Sequence, residues 1–374
     1  MASKIFMGDI PELMEIILNN LNNEIYSLYS CALVSRQIFY LLGRNEQFFS
    51  QLQDLSLGPI SDLSTENTII LLKILAKDAT KLNALKLDEF HSDYEPQLLR
   101  ALICIIKSQE QLRQFSLVGE EFPTEFHGII SALESQNNSL QEVSLMFCEF
   151  STEFMVLMNC KNLEILRIRD CYNEEILEIS LKTLEITGYS IYVSNIVQIL
   201  KKSGTLLQRL SLVSTVEHVR EEWLLLETLK SFCPNITYLN LSNITISTQF
   251  LGVIGNLQKL KFLTLFEMVD LEEETEIIVM QFAKLLPLTL QYLDLRDSHL
   301  GPYFDILLNN CYAPLKYLLI DCLDDEKAKA LVEFCIRKRT LNYIGVSIYL
   351  DDNIKKEVER YVTFISCDRI EVNC

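Results

Sequence analysis

Glycine and proline are scarce in this chain of 374 residues, 11 and 8 in all, which excludes a collagen-like polymer and most disordered low-complexity chains. Histidine is rarer still. His91, His127, His218 and His299 stand far apart, and none belongs to an HExxH metal pair. The GxSxG, GxxxxGKS/T and GxGxxG phrases are also absent, so the common nucleophile and phosphate-cradling motifs are not available to it. No apolar run approaches the roughly 18–20 residues that span a bilayer. The best candidate, 98–106, is short and carries Arg100. Positive charge is in deficit, 33 Lys and Arg against 51 Asp and Glu, for a formal charge of −18. Such a field repels phosphate backbones and anionic lipid, so neither nucleic acid nor a membrane is an expected partner. Asp9 and Glu12 fall where a signal peptide would keep its apolar stretch, so a cytoplasmic or nuclear location is expected.

Cysteine, by contrast, is plentiful. The 11 cysteines are scattered, with no CxxC pair and no histidine at ligand spacing. Small buried apolar groups, kept reduced, are the expectation, with no metal and no cofactor. The acidic runs at 270–274 and 324–326 lack the glycine and terminal glutamate of a calcium loop. Acidic side chains favour helix N-termini, so helices are expected to begin there.

What organises the chain is a phrase of six residues: apolar, two variable, apolar, one variable, apolar. It begins at Leu52, Leu82, Leu112, Leu140, Leu163, Leu181, Leu207, Ile236, Leu260, Leu290 and Leu315, with two weaker copies at Leu341 and Cys367. Successive starts lie 30, 30, 28, 23, 18, 26, 29, 24, 30, 25, 26 and 26 residues apart. The last two apolar positions alternate with polar ones, as in a short strand with one buried face. Between phrases, 68–76, 193–200, 277–286 and 328–335 carry apolar residues at helical spacing. One strand and one helix cannot bury their apolar faces alone, but stacked copies can. The step of 18 residues from Leu163 to Leu181 leaves room for only a helical turn or an extended link, so an irregularity is expected there.

The phrase and its spacing resemble leucine-rich repeats over about residues 51–374. The resemblance implies an α/β right-handed solenoid of about twelve or thirteen repeats, with a parallel sheet on its concave side and helices on its convex side. The family often places Asn or Cys three residues past the last apolar position. Only Cys148 and Cys171 match, which suits the irregular, cysteine-containing type.

Residues 1–50 follow another pattern. Residues 10, 13, 14, 17, 18 and 21 make one apolar helical face, Asp9 is placed to cap it, and Pro11 is tolerated in its first turn. Two further helices, 25–34 and 35–42, are expected. Three short helices make a marginal core, and such a unit tends to fold against a partner or neighbour. The phrases Ile10-Pro11-Glu12-Leu13-Met14 and Cys31-Ala32-Leu33-Val34-Ser35-Arg36 resemble an F-box. They depart from it at Ile10, where Leu is usual, and at Ile38, where many members carry Trp. A small all-α F-box ahead of a leucine-rich array implies a substrate receptor of a cullin–RING (SCF-type) ubiquitin ligase. Its Skp-type adaptor would be docked by Ile10, Pro11, Leu13, Met14, Leu33, Val34 and Arg36. The ubiquitin chemistry belongs to other subunits of such a ligase, so the chain itself would not be an enzyme. The alternative is a leucine-rich interaction scaffold outside ubiquitin transfer, with residues 1–50 as a cap.

The concave face would hold an unknown substrate protein. One column there is distinctive: Tyr238, Phe262, Tyr292, Tyr317 and Tyr343 precede the second apolar residue of five consecutive phrases. Strands about 4.8 Å apart would align them into a stripe of exposed rings, either a binding surface or rings that simply pack on one another. Arg167, Arg169, Glu185 and Arg209 form a smaller mixed patch. It suits an acidic stretch of a partner, or is merely solvated.

Overall fold

The six-residue phrase folds as its alternation requires. The computed structural model describes residues 49–58, 65–91, 93–120, 125–172, 178–215, 219–268, 275–348 and 351–367. Two units are distinct. One runs to Leu163 and takes in Cys171 and Tyr172; the other comprises Glu164–Asp170 and the described chain from 178 onward. Each is an α/β leucine-rich-repeat stack. The helices expected over 1–50 and all seven adaptor-docking residues lie outside the described residues.

In the first unit, β1 (Asp54–Leu57), β2 (Ala84–Phe90), β3 (Gln114–Gly119) and β4 (Glu142–Met146) pair in parallel, in chain order. In the second, the order is β5 (Ile165–Arg169), β6 (Thr183–Gly188), β7 (Arg209–Ser214), β8 (Tyr238–Ser242), β9 (Phe262–Phe266), β10 (Tyr292–Asp294), β11 (Tyr317–Ile320), β12 (Tyr343–Val346) and β13 (Thr363–Ile365). All these neighbours are parallel, and from β5 to β12 they keep the register of the phrases. The step between repeats is also fixed by a recurring backbone fork. The Thr237 carbonyl accepts from the amides of Lys261 and Phe262, and the Lys261 carbonyl from those of Gln291 and Tyr292.

Opposite the sheet face lie the helices. The first unit has α1 (Thr65–Asp78) and α2 (Pro96–Ser108), then two 3-10 segments, Ser131–Gln136 and Thr152–Asn159. The second has α3 (Val193–Ser203), α4 (Glu222–Phe232), α5 (Thr248–Asn256), α6 (Thr275–Leu285), α7 (Phe304–Asn310), α8 (Asp325–Lys338) and α9 (Asp352–Val358). Helical spacing had marked α1, α3, α6 and α8. In α3 the buried side chains are Val193, Ile196, Val197, Ile199, Leu200 and Ser203, one stripe turned to the sheet. The acidic run at 324–326 begins a helix as expected, with the Asp324 carboxylate accepting from the Lys327 amide at 2.9 Å. The run at 270–274 lies outside the described residues. Between β5 and β6 no helix occurs among the described residues, in keeping with the short step.

The thirteenth strand departs from expectation. It is formed by Thr363–Ile365, ahead of the weak phrase at Cys367. Val358 and Val362 are buried beneath this end, while Ser366 falls where the last apolar residue of a phrase would be. The strand therefore lacks the signature that reveals the others.

Scarce glycine has a visible cost. Among the described residues ten non-glycine residues take positive φ, against two glycines. Glu89, Phe147, Asp170, Asn243, Glu267 and Asp297 all do so two residues after the last apolar position of their phrase. There the chain leaves the sheet in a left-handed turn that side chains disfavour, so the stack holds a strained conformation at a repeated place.

Buried polar side chains tie repeats together. The Gln136 amide donates to the carbonyls of Ile106 (3.0 Å) and Gln109 (2.9 Å), and its oxygen accepts from the Leu112 amide at 3.2 Å. The Gln109 oxygen accepts from the Leu82 amide at 3.0 Å, and the Ser203 hydroxyl from the Leu181 amide at 3.0 Å. In each case the leading apolar residue of a phrase has its N–H satisfied by the next repeat. Cys148, Cys160, Cys233, Cys311 and Cys335 are buried, as expected of small apolar groups. Cys104 corrects that expectation: it stands exposed on α2, at a position outside the buried stripe of Leu98, Leu99, Ala101, Leu102, Ile105 and Ile106.

Candidate protein-binding face

Strand alternation sends Leu239, Leu263, Leu293, Leu318 and Ile344 into the core and their predecessors to the opposite face. Tyr238 pairs with Phe262, Phe262 with Tyr292, Tyr292 with Tyr317 and Tyr317 with Tyr343. The five rings form an unbroken ladder with centroid separations of 6.5, 6.0, 6.3 and 4.9 Å. Tyr317 and Tyr343 stack at an interplanar angle of 18°; the other pairs are tilted. Tilted and offset pairs are the favourable arrangements for aromatic quadrupoles.

The rings do not all stand exposed, as the sequence had led us to expect. Tyr238 and Tyr292 are only 8% and 4% exposed, and Phe262, Tyr317 and Tyr343 are half-buried. Mutual contact is one cause. Polar neighbours are the other. The guanidinium of Arg209 lies 3.6 Å from the centroid of the Tyr238 ring. The Tyr292 hydroxyl donates to Asp294 Oδ2 at 3.3 Å. Burial, then the adjacent Asp294 carboxylate, pushes the Tyr292 phenol well above its ordinary pKa.

Arg209 also joins the ladder to the charged patch. Its Nε donates to Glu185 Oε1, and Arg167 Nε donates to Glu185 Oε2 at 2.9 Å. One carboxylate thus bridges two guanidiniums, while Arg169 stands exposed at the end of β5. Three residues that looked like a mixed surface patch are one ion-paired network ending on an aromatic ring.

Asp294 and Arg296 belong to the same face and were not singled out from sequence. Arg296 grips Asp294 through Nε (2.9 Å) and Nη2 (2.8 Å), with the Asp294 side chain 4% and the Arg296 side chain 31% exposed. That bidentate bond holds the guanidinium more firmly protonated than usual. The available signal was an Asp-x-Arg pair, whose period of two puts both side chains on one side of a strand.

The first unit presents a different face. Ser56, Ala84, Ser116 and Ser144 are small, and a groove of about 440 Å³ runs over them. At the turns of the second unit, Glu267, Asp297, Asp321, Asp324, His299 and Lys327 line a cleft of about 660 Å³. In it Lys327 Nζ lies 3.1 Å from Cys322 Sγ and 3.3 Å from Asp324 Oδ2. Among the described residues, no group of three or more His, Cys, Asp and Glu side chains is placed to hold a metal ion, and no helix is long and apolar enough to cross a membrane.

No family model and no curated protein matches the chain. Two solved structures to which it is similar are a TLR13–ssRNA13 complex and a complex of Rad7 and Elc1 in yeast. Identity to the first is 13% with a TM-score of 0.39, over 81% of this chain and 37% of that one. Identity to the second is 15% with a TM-score of 0.48, over 94% of this chain and 85% of that one. The chain thus spans little more than a third of the length of the TLR13 chain.

Proposed function

We propose that this chain is a non-catalytic substrate receptor of a cullin–RING ubiquitin ligase. Residues 1–50 dock a Skp-type adaptor, and the sheet face of the second unit holds the substrate protein. The observation that carries the reading is the aromatic ladder: five large, rigid rings in five consecutive strands, bordered by arginines. Aromatic and arginine side chains of this kind are what protein interfaces use as anchors. The F-box-like phrases ahead of the array give the reading its ligase context. In it, Ile10, Pro11, Leu13, Met14, Leu33, Val34 and Arg36 meet the adaptor through an apolar helix face.

The test is binding of the full chain to a purified Skp-type adaptor. Micromolar binding is expected, with a loss of at least about tenfold in Leu13→Asp, the usual consequence of placing a charge at an interface anchor. Failure of the intact chain to bind at micromolar concentration removes the ligase role and leaves the interaction scaffold.

A further inference from the structure

Two sulfurs occupy the same place in successive repeats. Cys148 and Cys171 each stand three residues past the last apolar position of a phrase, directly after Phe147 and Asp170, which take positive φ of 53° and 49°. Equivalent turns aim equivalent side chains the same way. The backbone holds these turns in register. The Tyr172 amide donates to the Cys148 carbonyl at 2.9 Å, the Phe150 amide donates to the Tyr172 carbonyl at 2.8 Å, and Glu149 pairs with Tyr172 in an isolated parallel bridge. Turns stacked about 4.8 Å apart fall inside the roughly 4.4–6.8 Å between Cα atoms that a disulfide accepts. The side chains already meet: the Cys171 sulfur accepts from the Cys148 amide at 3.4 Å and is hydrogen-bonded to the Cys148 thiol. Among the described residues no other cysteine has a second one as its partner. Cys160, Cys233 and Cys311 turn to the carbonyls of Val156, Leu200 and Ala313, and Cys322 to Lys327. The two sulfurs differ in access, since Cys148 is fully buried and Cys171 half-buried.

We propose that Cys148 and Cys171 are a modification site, a dithiol that hydrogen peroxide closes to an intramolecular disulfide, with Cys171 attacked first and Cys148 resolving it. The inference stands apart from the partner-binding reading. Solvent reaches the Cys171 sulfur, which attacks one oxygen of the peroxide. The O–O bond breaks, the sulfur is oxidised to a sulfenic acid, and the thiol proton leaves with the departing hydroxide as water. The Cys148 sulfur then displaces hydroxide from Cys171. The S–O bond breaks as the S–S bond forms, and the Cys148 proton leaves with that hydroxide as a second water. Two thiols and one peroxide thus give one disulfide and two waters. Until then Cys148 keeps its proton: its bond to Cys171 first, and burial second, hold the thiol well above its ordinary pKa, so it does not react alone. The closed pair would tie turns 23 residues apart in sequence and withdraw that loop's freedom from the unfolded chain. It would do so beside β5, after which no helix occurs among the described residues before β6.

The experiment treats the reduced full chain with hydrogen peroxide, blocks the remaining thiols with N-ethylmaleimide and isolates the monomer on a non-reducing gel. Trypsin and a glutamate-specific protease then separate Cys148 from both Cys171 and Cys160, by cutting at Glu149, Glu153, Lys161, Arg167 and Arg169, and mass spectrometry maps the joined peptides. A Cys148–Cys171 cross-link is expected as the main product, lighter by about 2 Da than the two thiol peptides and reversed by dithiothreitol. In urea the preference for this pair should vanish. Cys148→Ser should let the sulfenic acid at Cys171 accumulate, trapped as its dimedone adduct. Cys171→Ser should leave Cys148 reduced, with its oxidation at least about tenfold slower. Exposed Cys104 is the internal standard. Oxidation of Cys104 without the Cys148–Cys171 cross-link would show two sulfurs that merely pack, and would overturn the proposal. An equal yield of this pair in urea would overturn it too, and so would the absence of a Cys171 adduct in Cys148→Ser. Oxidation of Cys148 at its full rate in Cys171→Ser would refute the order of attack.

Discussion

Arg209 is the joint between the ion-paired network and the aromatic ladder, and its removal should register on both. The side chain is 19% exposed and its partner Glu185 22%, so the pair is shielded enough to contribute but not desolvated enough to be costly. In Arg209→Ala, Glu185 retains Arg167, and about 1 kcal/mol of charge-assisted bonding is lost. The guanidinium over Tyr238 at 3.6 Å contributes about another 1 kcal/mol, since the ring is almost fully covered. The expected loss is therefore about 2 kcal/mol of unfolding free energy. Arg209→Lys keeps the charge but not the planar cation, and should lose about half of that. The decisive measurement is a double-mutant cycle with Tyr238→Leu, followed by circular dichroism in urea. Because stability in a repeat array is largely a sum of local terms, effects elsewhere cancel in the cycle. A coupling of about 1 kcal/mol is expected. Additivity within about 0.4 kcal/mol would mean that ring and cation are neighbours without interaction, and that patch and ladder are separate surfaces.

Three further predictions concern the stack. Gln136→Leu strips three buried hydrogen bonds and should cost about 3 kcal/mol, seen as easier urea unfolding of the first unit; a loss below about 0.5 kcal/mol would show that the amide is dispensable. A Cβ on Gly345 would sit 2.9 Å from Cys367 Sγ and 3.1 Å from Leu319 Cγ. Gly345→Ala should therefore destabilise by about 1–2 kcal/mol, and Cys367→Ala in the same chain should restore part of the melting temperature. Burial pushes the thiol of Cys233 up to about 12 and those of Cys160, Cys311 and Cys335 up to about 11, from an ordinary value of 9.0. The unfolded chain then releases these protons first, so this contribution is intact below pH 9 and is lost as pH rises through 11 to 12. The melting temperature should hold to pH 9 and fall above it, less steeply in Cys233→Ala. An equal fall in that variant would exonerate the thiol.

The phrase made the strands legible because two core-facing leucines at i and i+2 leave little else for a short segment to do. Where that pair breaks, legibility breaks with it. Thr363–Ile365 pairs with β12 although Ser366 occupies the last apolar place, and only long-range pairing reveals it. The ladder was legible for the same reason as the strands, since a residue beside a buried leucine must face the other way. Its burial was not. Whether Tyr292 is open or covered depends on Phe262 and Tyr317, which are 30 and 25 residues away, and on Arg296 folding back to hold Asp294. Sequence spacing carries the direction of a side chain, but not what leans on it. The same limit bears on binding. Because Tyr238 and Tyr292 are already covered, a partner gains contact area chiefly from Phe262, Tyr317 and Tyr343. Substitution of Tyr317 should therefore weaken a partner while leaving the fold, whereas substitution of Tyr292 should damage the ladder first and binding only as a consequence.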